Sequence, residues 1–268
     1  MSSNLLFPDL TYRIRKVVFN VYNQLGPIFR EATYEKAMII GLLKEVFQVD
    51  DQKSFPMLFK SYKIGYYIVD LLVDNKIILE LKAVPILLPV HRAQIISYLK
   101  VTDLKLGLLI NFGSLKAEIE SFPNYNLAQG KKISNKEIEL KNDLHFPELT
   151  DKVLDALFEV HHVLSPGFRT YIYRRAVRLE LGWRRIPFCN IQKIQAKYLN
   201  EVVDEREIKL LIIDKKIGLL IVTEDSITEL LKHRMWSYLM HFKLELGLVV
   251  NFNNMPLEFQ FIFRKRQE

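Results

Sequence analysis

The sequence predicts an α/β protein made of two tandem domains, each a small mixed β-sheet flanked by α-helices. Two observations support this prediction. Several segments recur in the same order at a nearly constant offset, and apolar runs of strand length alternate with stretches of helical spacing. With 268 residues, 49% of them hydrophobic, the chain can bury two cores in domains of about 110–140 residues.

The first copy is predicted to begin with two helices, at about 10–24 and 31–48. Gly26 and Pro27 separate them, because glycine and proline interrupt helices. The second helix carries apolar residues at a spacing of three, which predicts a common face: Ala37, Ile40, Leu43 and Val46.

Strands and a third helix follow in the first copy. Apolar runs predict strands near 54–60, 65–73 and 76–83, then a helix at about 89–101 and a strand at 106–111. The polar residues 74–76 lie between two of these runs, so the second and third strands should form an antiparallel hairpin.

The second copy is visible as an internal repeat. The segment 6–11 recurs at 145–150, and 25–30 recurs at 164–169, both at an offset of 139 residues. The segment 107–112 recurs at 247–252 at an offset of 140, so one residue is inserted between. The same elements should therefore repeat from about residue 149.

These boundaries divide the chain into a domain at 1–120, a linker at 121–144 and a second domain at 145–268. The linker region is polar and contains Pro123 and Gly130, and it has room for one extra short strand. A duplicated domain often replaces a homodimer contact, so we expect an internal pseudo-dimer that leaves the chain monomeric in solution.

Five polar residues interrupt the apolar part of the first copy: Asp70, Glu80, Lys82, Gln94 and Tyr98. Glu80 and Lys82 are two residues apart and so share one face of their strand. Charges in apolar surroundings must pair or bind a cation. Two converging carboxylates suit Mg²⁺ or Mn²⁺, and the ammonium would orient an attacking water or stabilise an oxyanion. The alternative is a cross-strand salt bridge on a solvated face.

Together these segments resemble the PD-(D/E)xK (restriction-endonuclease-like) nuclease superfamily and, within it, the small GxxExxY proteins, which share features with RecB-like nucleases. The resemblance extends over residues 6–116. Ile28 stands where the family usually has glycine, whereas Glu31 and Tyr34 keep their places. The matching segments are 25–37, the strand containing Asp70, Glu80–Val84, Gln94–Tyr98 and Gly107–Phe112.

The resemblance implies metal-dependent hydrolysis of phosphodiester bonds. Glu31, Asp70 and Glu80 would be the ligands of Mg²⁺ or Mn²⁺, and Lys82 would activate the water. Gln94 and Tyr98 correspond to the QxxxY element and lie four residues apart, on one face of a helix.

Two of the site residues have ordinary alternatives. By itself, Glu31 fits an acidic residue in the first turn of a helix, where the helix dipole favours it. Tyr98 fits ordinary helix amphipathicity about equally well. His91 precedes Gln94 by three residues, and we interpret it as a phosphate contact.

The second copy lacks the site. Glu31, Asp70, Glu80, Lys82 and Gln94 correspond there to Thr170, Leu210, Leu220, Val222 and Arg234. We therefore predict a non-catalytic scaffold or substrate-gripping repeat. Arg174, Arg175 and Arg178 would form a phosphate-facing stripe on its second helix, the alternative being a solvated face.

Composition narrows the possible partners and compartment. A formal net charge of +7 fits a nucleic-acid partner, with DNA favoured over RNA. No apolar run is long enough to span a bilayer, and the first residues do not resemble a secretory signal, so we expect a cytoplasmic protein. The single cysteine, Cys189, excludes an internal disulfide and a cysteine-ligated iron–sulfur cluster; we expect it to be packed as a small apolar residue.

Two function classes follow from the sequence. The first is a Mg²⁺-dependent nuclease with its site in the N-terminal copy. The second is a non-catalytic nucleic-acid-binding or assembly module with a vestigial site. The second copy favours the enzyme, because it indicates that the fold does not require the five polar residues.

Overall fold

Each half of the chain forms a compact unit of its own. The computed structural model describes residues 6–124 and 145–264, and the two units divide between residues 130 and 131. Within the described ranges, each unit has a five-stranded mixed sheet and three helices. This architecture confirms the predicted α/β fold and its repetition. Most of the predicted linker lies outside the described residues, and the predicted boundary at 120 falls within a strand.

The first unit contains α1 (Pro8–Leu25), α2 (Glu31–Lys44), β1 (Val49–Phe59), β2 (Tyr62–Val73), β3 (Ile77–Lys82), α3 (Pro89–Thr102), β4 (Leu106–Asn111) and β5 (Glu118–Pro123). The strands are ordered β1-β2-β3-β4-β5 in the sheet. β3 and β4 are parallel, which requires the α3 crossover, and the other neighbours are antiparallel.

The sheet of the first unit is covered by helices on both faces. Residues of α1 and α2 pack in one core with Leu79 and Leu81 of β3. On α3, Ile95 packs against Leu109 of β4. β3 and β4 are therefore almost wholly buried, as expected for the central strands of such a sheet.

The second unit repeats these elements. It contains α4 (Pro147–Leu164), α5 (Thr170–Trp183), β6 (Phe188–Tyr198), β7 (Glu201–Ile213), β8 (Ile217–Val222), α6 (Glu229–Phe242), β9 (Leu246–Asn251) and β10 (Glu258–Phe263). The inserted residue lies in β7: Ile191 pairs with Leu210, while Lys193 pairs with Glu207. β7 therefore bulges next to Leu210, the counterpart of Asp70.

The predicted apolar face of α2 is wrong. The helix is shorter than predicted and buries residues at a spacing of four: Tyr34, Met38 and Leu42. Ile40 and Val46 are 59% and 89% exposed, and Leu43 is exposed too. A spacing of three falls behind the helical repeat of 3.6 residues, so such a series turns away from the core.

Cys189 is exposed near the start of β6, so the expectation that it packs in the interior is wrong. None of the described helices combines the length and apolar character needed to cross a membrane.

Candidate active site

The site lies where β2 and β3 part. Their last paired residues before the gap are Leu71 and Leu79, and Asp70 lies just beyond them. Beyond this point the Asp70 side chain replaces the backbone hydrogen bonds between the two strands, because its Oδ2 accepts the Leu81 backbone N–H at 2.7 Å. Burial raises the pKa of Asp70, although this hydrogen bond opposes the shift.

Glu80 is the most deeply buried of the charged groups, with only 1% of its surface exposed. Its Oε1 accepts hydrogen bonds from Lys82 Nζ and from Gln94 Nε2, both at 2.6 Å. Its Oε2 is buried and has no hydrogen-bond partner among the described residues. Burial, reinforced by the charge of Asp70, raises the pKa of Glu80 to about 8.

Lys82 connects the strand carboxylates to the first helix of the site. Its Nζ lies 4.0 Å from Oε2 of Glu31, at the start of α2. Burial acts to lower the pKa of Lys82, but the carboxylates of Glu80 and Glu31 outweigh it and raise that pKa above its usual value. Burial also raises the pKa of Glu31. One ammonium thus faces three carboxyl groups.

Gln94 and Tyr98 join this network from α3, as their spacing predicts. Gln94 Nε2 donates to Tyr98 Oη at 2.8 Å in addition to Glu80. The Tyr98 ring stacks on Tyr67 of β2, with 5.0 Å between ring centroids. The Tyr67 hydroxyl is buried without a hydrogen-bond partner among the described residues, and burial raises its pKa.

Two residues of this region were missed by the sequence prediction. Glu35 lies one turn after Glu31 on α2, and its charge raises the pKa of both Glu31 and Asp70. Its Oε1 accepts a hydrogen bond from Gln52 Nε2 at 2.7 Å. The spacing of four from Glu31 was a usable signal for Glu35. Tyr67 carries no such signal, because an aromatic residue is ordinary in a strand.

A family model described as the PD-(D/E)XK nuclease superfamily matches the chain twice, over residues 8–122 and 147–262. The chain belongs to the PD-(D/E)XK nuclease superfamily. The two matches together span most of the chain and confirm the tandem duplication. No curated protein and no solved structure gives a significant match. Assignment to the GxxExxY proteins stays a prediction.

In the second PD-(D/E)XK unit, the same place is filled by apolar and neutral side chains. Leu210 and Leu220 pair across β7 and β8, and both are buried. Thr170 takes the place of Glu31 and shares a hydrogen bond of 2.6 Å with Thr223 at the end of β8. At the positions of Glu80 and Lys82 the described part of this unit has Leu220 and Val222, so the carboxyl–ammonium contact of the first unit has no counterpart there.

The remaining predicted contact residues are His91 and the arginines of α5. His91 caps α3, because its Nδ1 accepts the Leu88 backbone N–H at 3.1 Å. Arg174 is half-buried and close enough to Arg178 for the two charges to repel each other, and burial lowers the pKa of Arg174. Arg175 lies over the ring of Tyr171, 5.4 Å from its centroid.

The donor set of the first unit suits a hard divalent cation. Carboxylate oxygens are the ligands that Mg²⁺ and Mn²⁺ prefer. The buried Oε2 of Glu80 accepts no hydrogen bond from the described residues and is therefore available as a metal ligand. Among the described residues, no group of three or more histidine, cysteine or acidic side chains is already arranged to hold a metal ion. In their present arrangement the carboxyl groups converge on the Lys82 ammonium instead.

Proposed function

We propose that the first copy is a metal-dependent nuclease that hydrolyses phosphodiester bonds in nucleic acid, with DNA preferred over RNA. One observation supports this most strongly: Glu80 is buried with one oxygen held by Lys82 and Gln94 and the other unpartnered among the described residues. A buried carboxyl group with one oxygen unpartnered is costly to the fold in either protonation state.

The duplication argues against a purely structural reason for that cost. The second unit forms the same sheet with leucine at the positions of Asp70 and Glu80. The fold therefore does not need these charges, and replacing a buried ion pair by apolar residues is often neutral or stabilising. Their presence in the first copy is explained by metal-dependent chemistry.

Each residue has a definite task in this proposal. Glu31, Asp70 and Glu80 would hold Mg²⁺ or Mn²⁺. The cation would lower the pKa of a bound water and neutralise charge that develops on the scissile phosphate. Lys82 would orient the attacking water and stabilise negative charge on the phosphate oxygens. Gln94 holds Glu80 Oε1 in place from α3 and connects it to Tyr98.

The test is cleavage of single- and double-stranded DNA and RNA with Mg²⁺ or Mn²⁺. We expect metal-dependent cleavage by the wild-type chain and a loss of at least about a hundredfold in Lys82→Ala and Asp70→Ala, since each removes electrostatic stabilisation of the transition state. Lys216→Ala, which changes an exposed lysine of the second unit, is the control. Absence of cleavage on every substrate would favour the alternative, a binding or assembly module with a vestigial site.

For the second copy we propose that Arg174 and Arg178 bind backbone phosphates. The offset between α2 and α5 puts Arg174 at the position of Glu35, whose charge acts on the first-copy site. A half-buried arginine beside a second one suits an anion. Among the described residues neither forms an ion pair.

The double variant Arg174→Ala/Arg178→Ala tests this role. Each phosphate contact contributes about 0.7–0.9 to the slope of log affinity against log salt, so the slope should decrease by roughly 1.5. Arg206→Ala, in β7 of the same unit, is the control. An unchanged salt slope would contradict the phosphate-binding role of the second copy while leaving the nuclease proposal intact.

A further inference from the structure

The hairpin of β1 and β2 extends well beyond the rest of the sheet. β2 pairs with β1 as far as Tyr62, but it pairs with β3 only from Leu71 to Val73. Residues 53–69 thus form a two-stranded arm, which we call the β1–β2 arm. It begins directly at Asp70, so any ligand lying along the arm is led toward the candidate active site.

The two sides of the β1–β2 arm differ in chemistry. One side is buried and apolar, with Met57, Phe59, Ile64 and Tyr67. The other side has Tyr66, which is 49% exposed, and the exposed Lys63, beside the apolar Leu58 and Ile68. At the tip of the hairpin Tyr62, which pairs with Phe59, is 56% exposed, and Lys60 in the turn is exposed. Lys63 Nζ lies 4.2 Å from the centroid of the Tyr66 ring, so the cation and the aromatic face form one surface.

The second unit has the same arm with a mixed charge. β7 pairs with β6 as far as Glu201, but with β8 only from Leu210 to Ile213. At the positions of Tyr62 and Tyr66 this arm has Glu201 and Glu205, and all its acidic residues are exposed: Glu201, Asp204, Glu205 and Glu207. This arm also has the exposed residues Lys193 and Tyr198, and Lys193 is paired with Glu205. The arm of the first copy has no acidic residue between 53 and 69, so its exposed lysines are not neutralised within the arm. This basic arm occurs in the copy that also has the charged site.

The dimensions of the arm fit a nucleic-acid strand. At about 3.3 Å per residue, Tyr66 lies roughly 13 Å and Lys63 roughly 23 Å from Asp70 along β2. Stacked nucleotides advance about 3.4 Å each, so Tyr66 lies roughly four nucleotides and Lys63 roughly seven nucleotides from the site. Lysines attract phosphates, and exposed aromatic rings stack on bases that are free of a duplex.

We propose that the β1–β2 arm binds single-stranded nucleic acid. Lys60 and Lys63 contact the phosphates, Tyr62 and Tyr66 stack on unpaired bases, and the strand runs along the arm toward Asp70. The direction of the strand rests on the proposed nuclease function, whereas binding to the arm does not.

The experiment measures binding to the full chain without a divalent metal, so that cleavage plays no part. The probe is a fluorescein-labelled oligodeoxythymidine of about 15 nucleotides, followed by anisotropy and compared with a duplex of the same length. Tyr62→Ala/Tyr66→Ala should weaken single-strand binding about tenfold or more, because each base–aromatic stack contributes about 1–3 kcal/mol. Tyr62→Phe/Tyr66→Phe should keep it, which separates lost stacking from misfolding.

The lysines are tested against a matched pair. Lys60→Ala/Lys63→Ala should lower the salt slope by roughly 1.4, the value for two phosphates of a single strand. Lys76→Ala/Lys105→Ala removes the same charge next to the first residues of β3 and β4, at the end of these strands away from Lys82. This variant should change affinity less than about twofold. Single-strand affinity unchanged in Tyr62→Ala/Tyr66→Ala and in Lys60→Ala/Lys63→Ala would overturn the proposal. It would also be overturned if Tyr62→Ala/Tyr66→Ala weakened duplex binding as much as single-strand binding. A wild-type chain that binds the single strand through the arm but does not cleave nucleic acid with Mg²⁺ or Mn²⁺ would instead contradict only the nuclease function.

Discussion

At the scale of single residues, the duplication separates polar groups that build the fold from those that do not. Asn111 is buried in the first unit and bonds to both backbone groups of Val84. Its counterpart Asn251 bonds to both backbone groups of Glu224 in the same way. Glu80 is equally buried, yet leucine replaces it in the second unit. A buried polar residue retained in both copies has a structural task, and one retained in a single copy does not.

The raised pKa of Glu80 predicts a pH-dependent stability of the metal-free protein. The unfolded chain releases the proton near 4.5 and the folded chain near 8, so the folded state binds more protons between these values. Stability should therefore fall as pH rises through this window, by roughly 2 kcal/mol or more. Glu80→Gln should remove this fall, as measured by urea unfolding in EDTA at about pH 5.5 and 8.

Glu120→Gln is the control for that prediction. The hydrogen bonds from Arg92 lower the pKa of Glu120, so its contribution to stability is lost only as pH falls below the usual carboxyl range. Its substitution should have the same effect at both pH values. A wild-type protein that is as stable at pH 8 as at pH 5.5 would contradict the assigned state of Glu80.

At the scale of elements, a buried tyrosine holds the turn before the second helix of each unit. Tyr34 Oη donates to the Gly26 carbonyl and accepts the Phe29 N–H, and its ring stacks on Phe112. Tyr173 makes the same contacts in the second unit, with Ser165, Phe168 and Phe252. Gly167 has φ 110 in that turn, whereas the counterpart Ile28 has no positive φ. The turn in the first copy thus forms without glycine.

Tyr34→Phe should loosen the turn that positions Glu31. It removes two hydrogen bonds from a buried group, so the free energy of unfolding should fall by about 1–3 kcal/mol. Because Glu31 begins α2 two residues after Phe29, the cleavage rate should fall as well. Tyr173→Phe, the matched control, should lower stability without lowering the cleavage rate. Equal cleavage rates in the two variants would contradict a positioning role for this turn.

Sequence patterns predicted some elements better than others. The hairpin containing Asp70 and Glu80 was predicted well, because both strands are continuous apolar runs around a polar turn. The buried face of α2 was not, since Ile40, Leu43 and Val46 are apolar but exposed. β1 begins at Val49 rather than near 54, because its first half is polar and exposed. The spacing of apolar residues alone does not reveal which of them pack against another element of the fold.

The candidate site shows the same division. Asp70, Glu80 and Lys82 are recognisable as charges within apolar strands, and Gln94 by its spacing from Tyr98. Glu35 is indicated only by its spacing of four from Glu31, and Tyr67 joins the site through the packing of α3 against β2, which local sequence does not specify. The open splay between β2 and β3 beyond Leu71 is also a property of the folded sheet.

At the scale of the whole molecule, one fold carries two different distributions of charge. The first copy has an acidic site and a basic arm, and the second has arginines near the former site and an arm of mixed charge. The internal pseudo-dimer and the monomeric state stay predictions, and sedimentation of the full chain would test the second.

The central claim is that the first copy alone forms a divalent-metal site, and calorimetric titration with Mn²⁺ tests it most directly. The wild-type chain should bind Mn²⁺, and Asp70→Ala should lose that binding because a carboxylate ligand is gone. Lys82→Ala should bind at least as tightly as the wild type, since the ammonium no longer competes with the cation beside Glu80. Absence of Mn²⁺ binding in the wild type, or binding that Asp70→Ala retains, would contradict the claim.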